Sequence, residues 1–170
     1  MERAHTCCFT GGRPEHIGFD QTDIYQFGAL KRDLEGAIRR AAGQGYTDFF
    51  CGMSRGFDLW AGEVLLDLAD ELGLHLHAAI PFPGQTDGWP ESDIATYVRI
   101  LKKCIKPHIC SSTYHRGVYY ERNRYMVDRS SLVITWNLGR KGGGTDYTCR
   151  YAQKKNVPII NLADPQLQLY

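Results

Sequence analysis

Short apolar runs alternate with longer stretches whose apolar residues recur every three or four positions, and the alternation runs through almost the whole chain. Strands separated in this way by helices pair in parallel through right-handed crossovers, so the pattern restricts the fold to a few α/β arrangements. Six runs read as strands, at residues 6–10, 48–51, 75–80, 108–111, 132–136 and 158–162. After the first, Phe27, Leu30, Leu34, Ala37, Ile38 and Ala41 form an apolar stripe that ends at Gly43 and Gly45. A second helix from Asp58 uses Ala61, Leu65, Leu68 and Leu72 before Gly73, and a third runs from about Ser92 through Ile105 to Pro107. A fourth spans residues 118–129 and a fifth follows Thr145 to about Lys155. The expected fold is a Rossmann-like, doubly wound three-layer α/β sandwich on a mainly parallel six-stranded sheet, with strand order 3-2-1-4-5-6 as the commonest arrangement. In any such order the parallel strands end on one side, and every strand-to-helix loop lies along one rim.

A length of 170 residues suits one domain over residues 1–170, and 43% hydrophobic with 23% charged residues is ordinary for a globular protein. No stretch is apolar enough to span a membrane and the first residues carry no secretory signal, so a cytoplasmic location is expected, with no membrane partner. The six cysteines lie mostly in apolar runs without a CxxC pair, which reads as reduced packing residues. His75 and His77 share a strand face but lack a third ligand at matched spacing, so no metal is expected. A formal net charge of +1 provides no broad field for a nucleic-acid backbone and argues against that partner. A homo-oligomer is compatible with these features.

The unusual residues gather in the loops of the expected rim. Gly142-Gly143-Gly144-Thr145 precedes a helix, where glycines let a backbone approach a phosphate and the helix start directs free N–H groups at it. Thr145 can cap the helix or donate its hydroxyl. The turn is neither a Walker A loop nor a GxGxxG fingerprint. A second glycine loop, Gly52 to Asp58 with Gly56 inside it, also enters a helix; Asp58 can cap that helix or accept from ribose hydroxyls. Gly11, Gly12 and Arg13 allow a third close approach, with a guanidinium fork for phosphate. Phe82, Trp89 and Tyr114 can stack on a base or simply pack. The fourth helix is too polar for core packing alone, and Arg122 with Asn123 is read as facing the cleft.

Four segments together, Thr10 to Pro14, Gly52 to Ala61, Arg122 to Asp128 and Trp136 to Thr145, resemble the YpsA-like family of the SLOG superfamily over about residues 6–162. The resemblance implies a Rossmann-like domain that binds a nucleotide, a nucleotide sugar or an NAD-derived signal, as a sensor or sequestering module, with no resident cofactor. Carried over position by position, it points to Gly11, Arg13, Gly52, Gly56, Asp58, Arg122, Asn123, Gly143, Gly144 and Thr145. Other members of the superfamily are LOG-type phosphoribohydrolases and DprA-type single-stranded-DNA-binding proteins. The LOG-type enzymes follow their glycine-threonine turn with catalytic carboxylates, whereas Thr145 here is followed by Asp146, Tyr147 and Thr148. A binding module is therefore favoured over an N-glycosidase or nucleotide hydrolase, for which Asp58 is the candidate acid and Glu63 and Glu121 are unassigned alternatives.

Overall fold

The computed structural model describes residues 1–164. Six strands and five helices alternate: β1 (Thr6–Gly11), α1 (Ile24–Gly43), β2 (Asp48–Cys51), α2 (Phe57–Leu72), β3 (His75–Ile80), α3 (Glu91–Lys103), β4 (Ile105–Ile109), α4 (Val118–Asp128), β5 (Leu132–Trp136), α5 (Gly144–Lys154) and β6 (Ile159–Asn161). Every strand pair is parallel, in the order β4-β3-β2-β1-β5-β6.

Both faces of the sheet are covered, and the alternation of side chains along each strand decides what goes where. Cys7, Phe9, Phe49 and Cys51 point into the larger core, built with Leu30, Leu34 and Ile38 of α1, Leu59 and Leu65 of α2 and Ile100 of α3. Cys8, Phe50 and Val133 point the other way, against Met126 and Val127 of α4 and Ala152 of α5. Burying one such leucine or isoleucine contributes about 1.5–3 kcal/mol, so α1, with five buried apolar residues, is held mainly by its stripe. Its start is fixed by Asp23, whose carboxylate accepts the Tyr25 and Gln26 backbone N–H groups.

The strand order differs from 3-2-1-4-5-6 at one place. β1 pairs directly with β5 from Cys7↔Leu132 to Gly11↔Trp136, and β4 lies outside β3 at the sheet edge. The residues explain the displacement: every position of β4 is exposed, Lys106 would be buried charged in a central strand, and Pro107 has no N–H to donate. The boundary moves as well. α3 stops at Lys103, and Ile105 and Pro107 belong to the strand rather than to the end of the helix. The interchange leaves the ends of β2, β1 and β5 side by side, with the loops that follow them along one rim.

Candidate functional site

The loops after β1 and β2 lock together through glycines. Gly56 holds φ at +85°, and a Cβ there would meet the Gly12 carbonyl oxygen at 2.6 Å and Pro14 Cδ at 2.8 Å. The Phe57 N–H donates to that same Gly12 carbonyl at 3.1 Å. A Cβ on Gly11 would collide with the Phe57 ring. Side chains are thus excluded at Gly11 and Gly56 by chain packing, and the start of α2 is pressed against the end of β1. Arg55 fastens this pair to the flanking elements, with Nε to Asp93 at 2.6 Å and Nη1 to Glu15 at 3.0 Å.

Beneath these loops lies a buried polar group. Arg122, 4% exposed, donates from Nη1 to the Gly52 carbonyl, from Nη2 to Ser54 Oγ at 3.2 Å and from Nε to Asn123 Oδ1 at 2.7 Å. A Cβ on Gly52 would meet Arg122 Nη1 at 2.5 Å and Asp58 Oδ2 at 2.7 Å, so this glycine makes room for the guanidinium and the carboxylate at once. Asp58 accepts the Ser54 N–H at 3.3 Å. Burial pushes the Asp58 carboxyl up to about 6, against the opposing pull of Arg122, the Ser54 N–H and Arg13. Burial also lowers the Arg122 guanidinium, with Asp58 as the largest opposing influence.

Above this group opens a cleft of about 570 Å³, within the range of small-molecule sites. Its floor and walls include Gly11, Gly12 and Arg13 at the end of β1, Ser54 and Asp58 between β2 and the first turn of α2, Arg122 and Asn123 of α4, and residues 136–138 and 140–146 from the end of β5 into α5. Gly142 holds φ at +80° and Gly143 caps α5 in an extended conformation without side-chain help, so the first N–H groups of the helix have no capping acceptor among the described residues. Thr145 lines the cleft and makes no capping bond. Asp146 turns back to accept the Gly142 N–H at 3.0 Å and pairs with Arg150 at 3.2 Å. Arg13, Arg116, Arg140 and Lys141 also line the cleft, and none has a carboxylate partner among the described residues. Tyr119 lies 5.9 Å from both the Arg13 and Arg122 guanidinium carbons.

Eleven of the fifteen ligand candidates singled out from sequence meet in this one cleft: Gly11, Gly12, Arg13, Asp58, Tyr114, Arg122, Asn123, Gly142, Gly143, Gly144 and Thr145. The other four stand outside it. Gly52 and Gly56 serve close packing behind the wall, as above. Phe82 packs edge-on against Tyr114 and Tyr119, at ring distances of 5.5 and 6.0 Å, and supports the cleft tyrosines from behind. Trp89 packs on the main core, edge-on against Tyr97, and is not among the residues that line the cleft. Asp58 is not the cap of α2, a position held by Gly56. Glu63 pairs with Arg99 and Glu121 with His115, and the cleft carboxylates are Asp58 and Asp146. Arg116, Tyr119 and Arg140 also line the cleft without having stood out in the sequence, beside Tyr120 and Lys141, which adjoin the segments read as facing it. The two cations between left-handed Gly139 and Gly142 were the readable signal.

Comparison with known proteins agrees with this architecture. A family model described as the YspA SLOG family (YpsA) matches residues 7–162. A UPF0398 protein of Bacillus velezensis is 22% identical over 166 residues, covering 94% of this chain and 91% of its own. One from Oceanobacillus iheyensis is 24% identical over 159 residues, covering 90% and 85%. Among solved structures, the DNA processing protein A (DprA) of Helicobacter pylori, reported with a single-stranded DNA binding mode, superposes with a TM-score of 0.62 at 18% identity, over 93% of this chain and 64% of that one. DprA of Streptococcus pneumoniae gives 0.57 at 14% identity, over 92% and 49%. The chain spans about half to just under two thirds of these DprA chains, and the likeness is one of fold.

Proposed function

The chain belongs to the YspA SLOG family, matching its model over residues 7–162, and on that premise we propose that the rim cleft binds a small nucleotide-type ligand without turning it over. The ligand class is a nucleotide, a nucleotide sugar or an NAD-derived signal, and the protein acts as its sensor or sequestering module. One observation carries the reading: an open cleft combines a glycine turn at a helix start, four cations without carboxylate partners among the described residues, and exposed aromatic rings. Free N–H groups at a helix start and guanidinium forks suit phosphate oxygens, and tyrosine faces suit a base. Thermal-shift measurements with purine nucleotides and NAD-derived compounds test it. A ligand at a hundred times its dissociation constant adds about 2.7 kcal/mol, a readily measured rise in Tm. No shift from any of them at millimolar concentration would remove the reading.

Asp58 is the acid that an N-glycosidase reading requires, and its raised carboxyl suits proton donation. It is nevertheless 5% exposed and held against Ser54 and Arg122, and the binding reading expects AMP incubated with the protein to release no adenine. Release that disappears in Asp58→Asn would make the protein an enzyme.

A second reading, a single-stranded nucleic acid as ligand, is favoured by a ladder of rings leading out of the cleft. Tyr120 lies 4.4 Å from Tyr147, which stacks on Tyr151 at 6.3 Å and 7°, with Arg124 donating to the Tyr147 hydroxyl at 2.8 Å. Aromatic rings beside cations are how sequence-tolerant single-strand sites are built. Fluorescence anisotropy with a labelled oligothymidine separates the two. Displacement of a bound oligonucleotide by AMP at equal phosphate concentration favours the small ligand, and oligonucleotide affinity rising with length favours the strand.

A further inference from the structure

Resting on the reading of the cleft as a phosphate site, we infer that the Asn123 side-chain amide is the specificity-determining donor for one phosphoryl oxyanion at the start of α5, and that Arg122 is a positioning residue that does not touch the ligand. Asn123 is 5% exposed and lines the cleft. Its Oδ1 accepts from Arg122 Nε at 2.7 Å, and because that nitrogen only donates, the amide has one orientation, with Nδ2 on the opposite side. Nδ2 has no acceptor among the described residues and stands 3.8 Å from the position a Gly144 Cβ would occupy. Gly144 opens α5, an 11-residue helix whose first backbone N–H groups have no side-chain cap. A nearly buried amide donor and the free N–H groups of a helix start therefore converge on one point of the cleft wall. Several donors without an acceptor between them suit an oxyanion.

Arg122 is spent elsewhere. Each of its three nitrogens already donates within the protein, to Asn123 Oδ1, the Gly52 carbonyl and Ser54 Oγ, using three of its five N–H groups and fixing the plane of the guanidinium. It influences an anion by keeping Asn123 turned, as the orienting partner of a donating side chain does. Nothing in this arrangement asks for a guanidinium fork on the phosphate.

The test is a double-mutant cycle read by calorimetric titration of two probes, inorganic phosphate and AMP. Asn123→Asp keeps the acceptor for Arg122 Nε and replaces the donor with a negative charge, and should weaken both probes by at least about tenfold. Arg122→Gln should weaken them in the wild-type background and add nothing in the Asn123→Ala background, since both changes remove one interaction. Gly144→Ala, whose φ is not left-handed and whose methyl would fit at 3.8 Å, should fold normally and weaken binding by narrowing the seat. Arg122→Gln leaves Asp58 buried without its cation and is open to misfolding, so the same cycle is also run with Asp58→Asn throughout. An equal loss from Arg122→Gln with and without Asn123 would show that the arginine reaches the ligand and overturn the proposal. Wild-type affinity in Asn123→Asp would overturn it too. Wild-type protein that binds neither probe would overturn the reading of the cleft itself, a result distinct from either.

Discussion

Asp58 concentrates what burial does to a single residue of the site. Its carboxyl is pushed up to about 6 from an ordinary 3.8, so the folded protein holds this proton more tightly than the unfolded chain does. Stability from this group is therefore greatest below the unfolded value and is lost as pH rises through about 6, by an amount on the order of 3 kcal/mol for a shift of about two units. Glu15, Asp20, Asp23 and Glu71 are shifted down and work in the opposite sense, so the effect is read as a difference. Melting curves of wild type and Asp58→Asn should separate between about pH 4 and 6, with the variant gaining relative stability as pH rises, and keep a constant offset from there to about pH 8. Curves parallel over the whole range would mean that Asp58 is no more burdened folded than unfolded. Gly52→Ala tests the same buried group sterically. A methyl at 2.5 Å from Arg122 Nη1 and 2.7 Å from Asp58 Oδ2 must displace one of them, and should cost about 1–3 kcal/mol in chemical denaturation. At this scale the sequence was informative about type and silent about partners. Arg122 and Asn123 stood out as too polar for a packing helix, but their burial depends on a carbonyl 70 residues away, which no local pattern encodes.

Elements were legible where their signals are local. The α1 stripe, the glycine stop after α2 and the glycine start of α5 fall where the residues place them, because capping and amphipathic period act within a few positions. Gly73 is a clear case: it ends α2 at φ +65° with nothing within 4 Å of a Cβ, so only its backbone conformation resists substitution. Gly73→Ala should cost about 1 kcal/mol, a fall of about 2–4 °C in Tm for a domain of this size, and leave nucleotide affinity unchanged. A larger loss would mean that the turn also carries packing. The partner of a strand is a different kind of fact. Placing β4 between β1 and β5 follows the commonest topology, and the composition of Ile105 to Ile109 outweighs it, since Lys106 and Pro107 are tolerated only at an edge. Trp89 is a related case: its ring packs on the main core against Tyr97, a tertiary contact that nearness in sequence to the rim does not encode.

At the scale of the whole molecule, a net charge of +1 conceals an uneven distribution, because Arg39, Arg55, Arg99 and Arg150 are paired with carboxylates while Arg13, Arg116, Arg140 and Lys141 converge on the cleft with no carboxylate partner among the described residues. The relevant field for an anionic ligand is the local one, since charges beyond about 8–10 Å are largely screened at physiological salt. Two double substitutions that lower the net charge equally should then behave differently. Arg140→Gln with Lys141→Gln removes two cleft cations and should weaken AMP about tenfold at low salt, with a shallower loss of affinity as salt is raised. Lys102→Gln with Lys103→Gln removes two cations from the last turn of α3, whose C-terminus lies at the rim opposite the cleft because the helix runs against parallel strands. That pair should cost only a few tenths of a kcal/mol in stability, through the helix dipole, and leave AMP affinity and its salt dependence as in wild type. Calorimetric titrations at two salt concentrations measure both. Equal effects from the two pairs would mean that the ligand responds to the charge of the whole protein, and no effect from either would place the phosphate away from the Arg140–Lys141 lip.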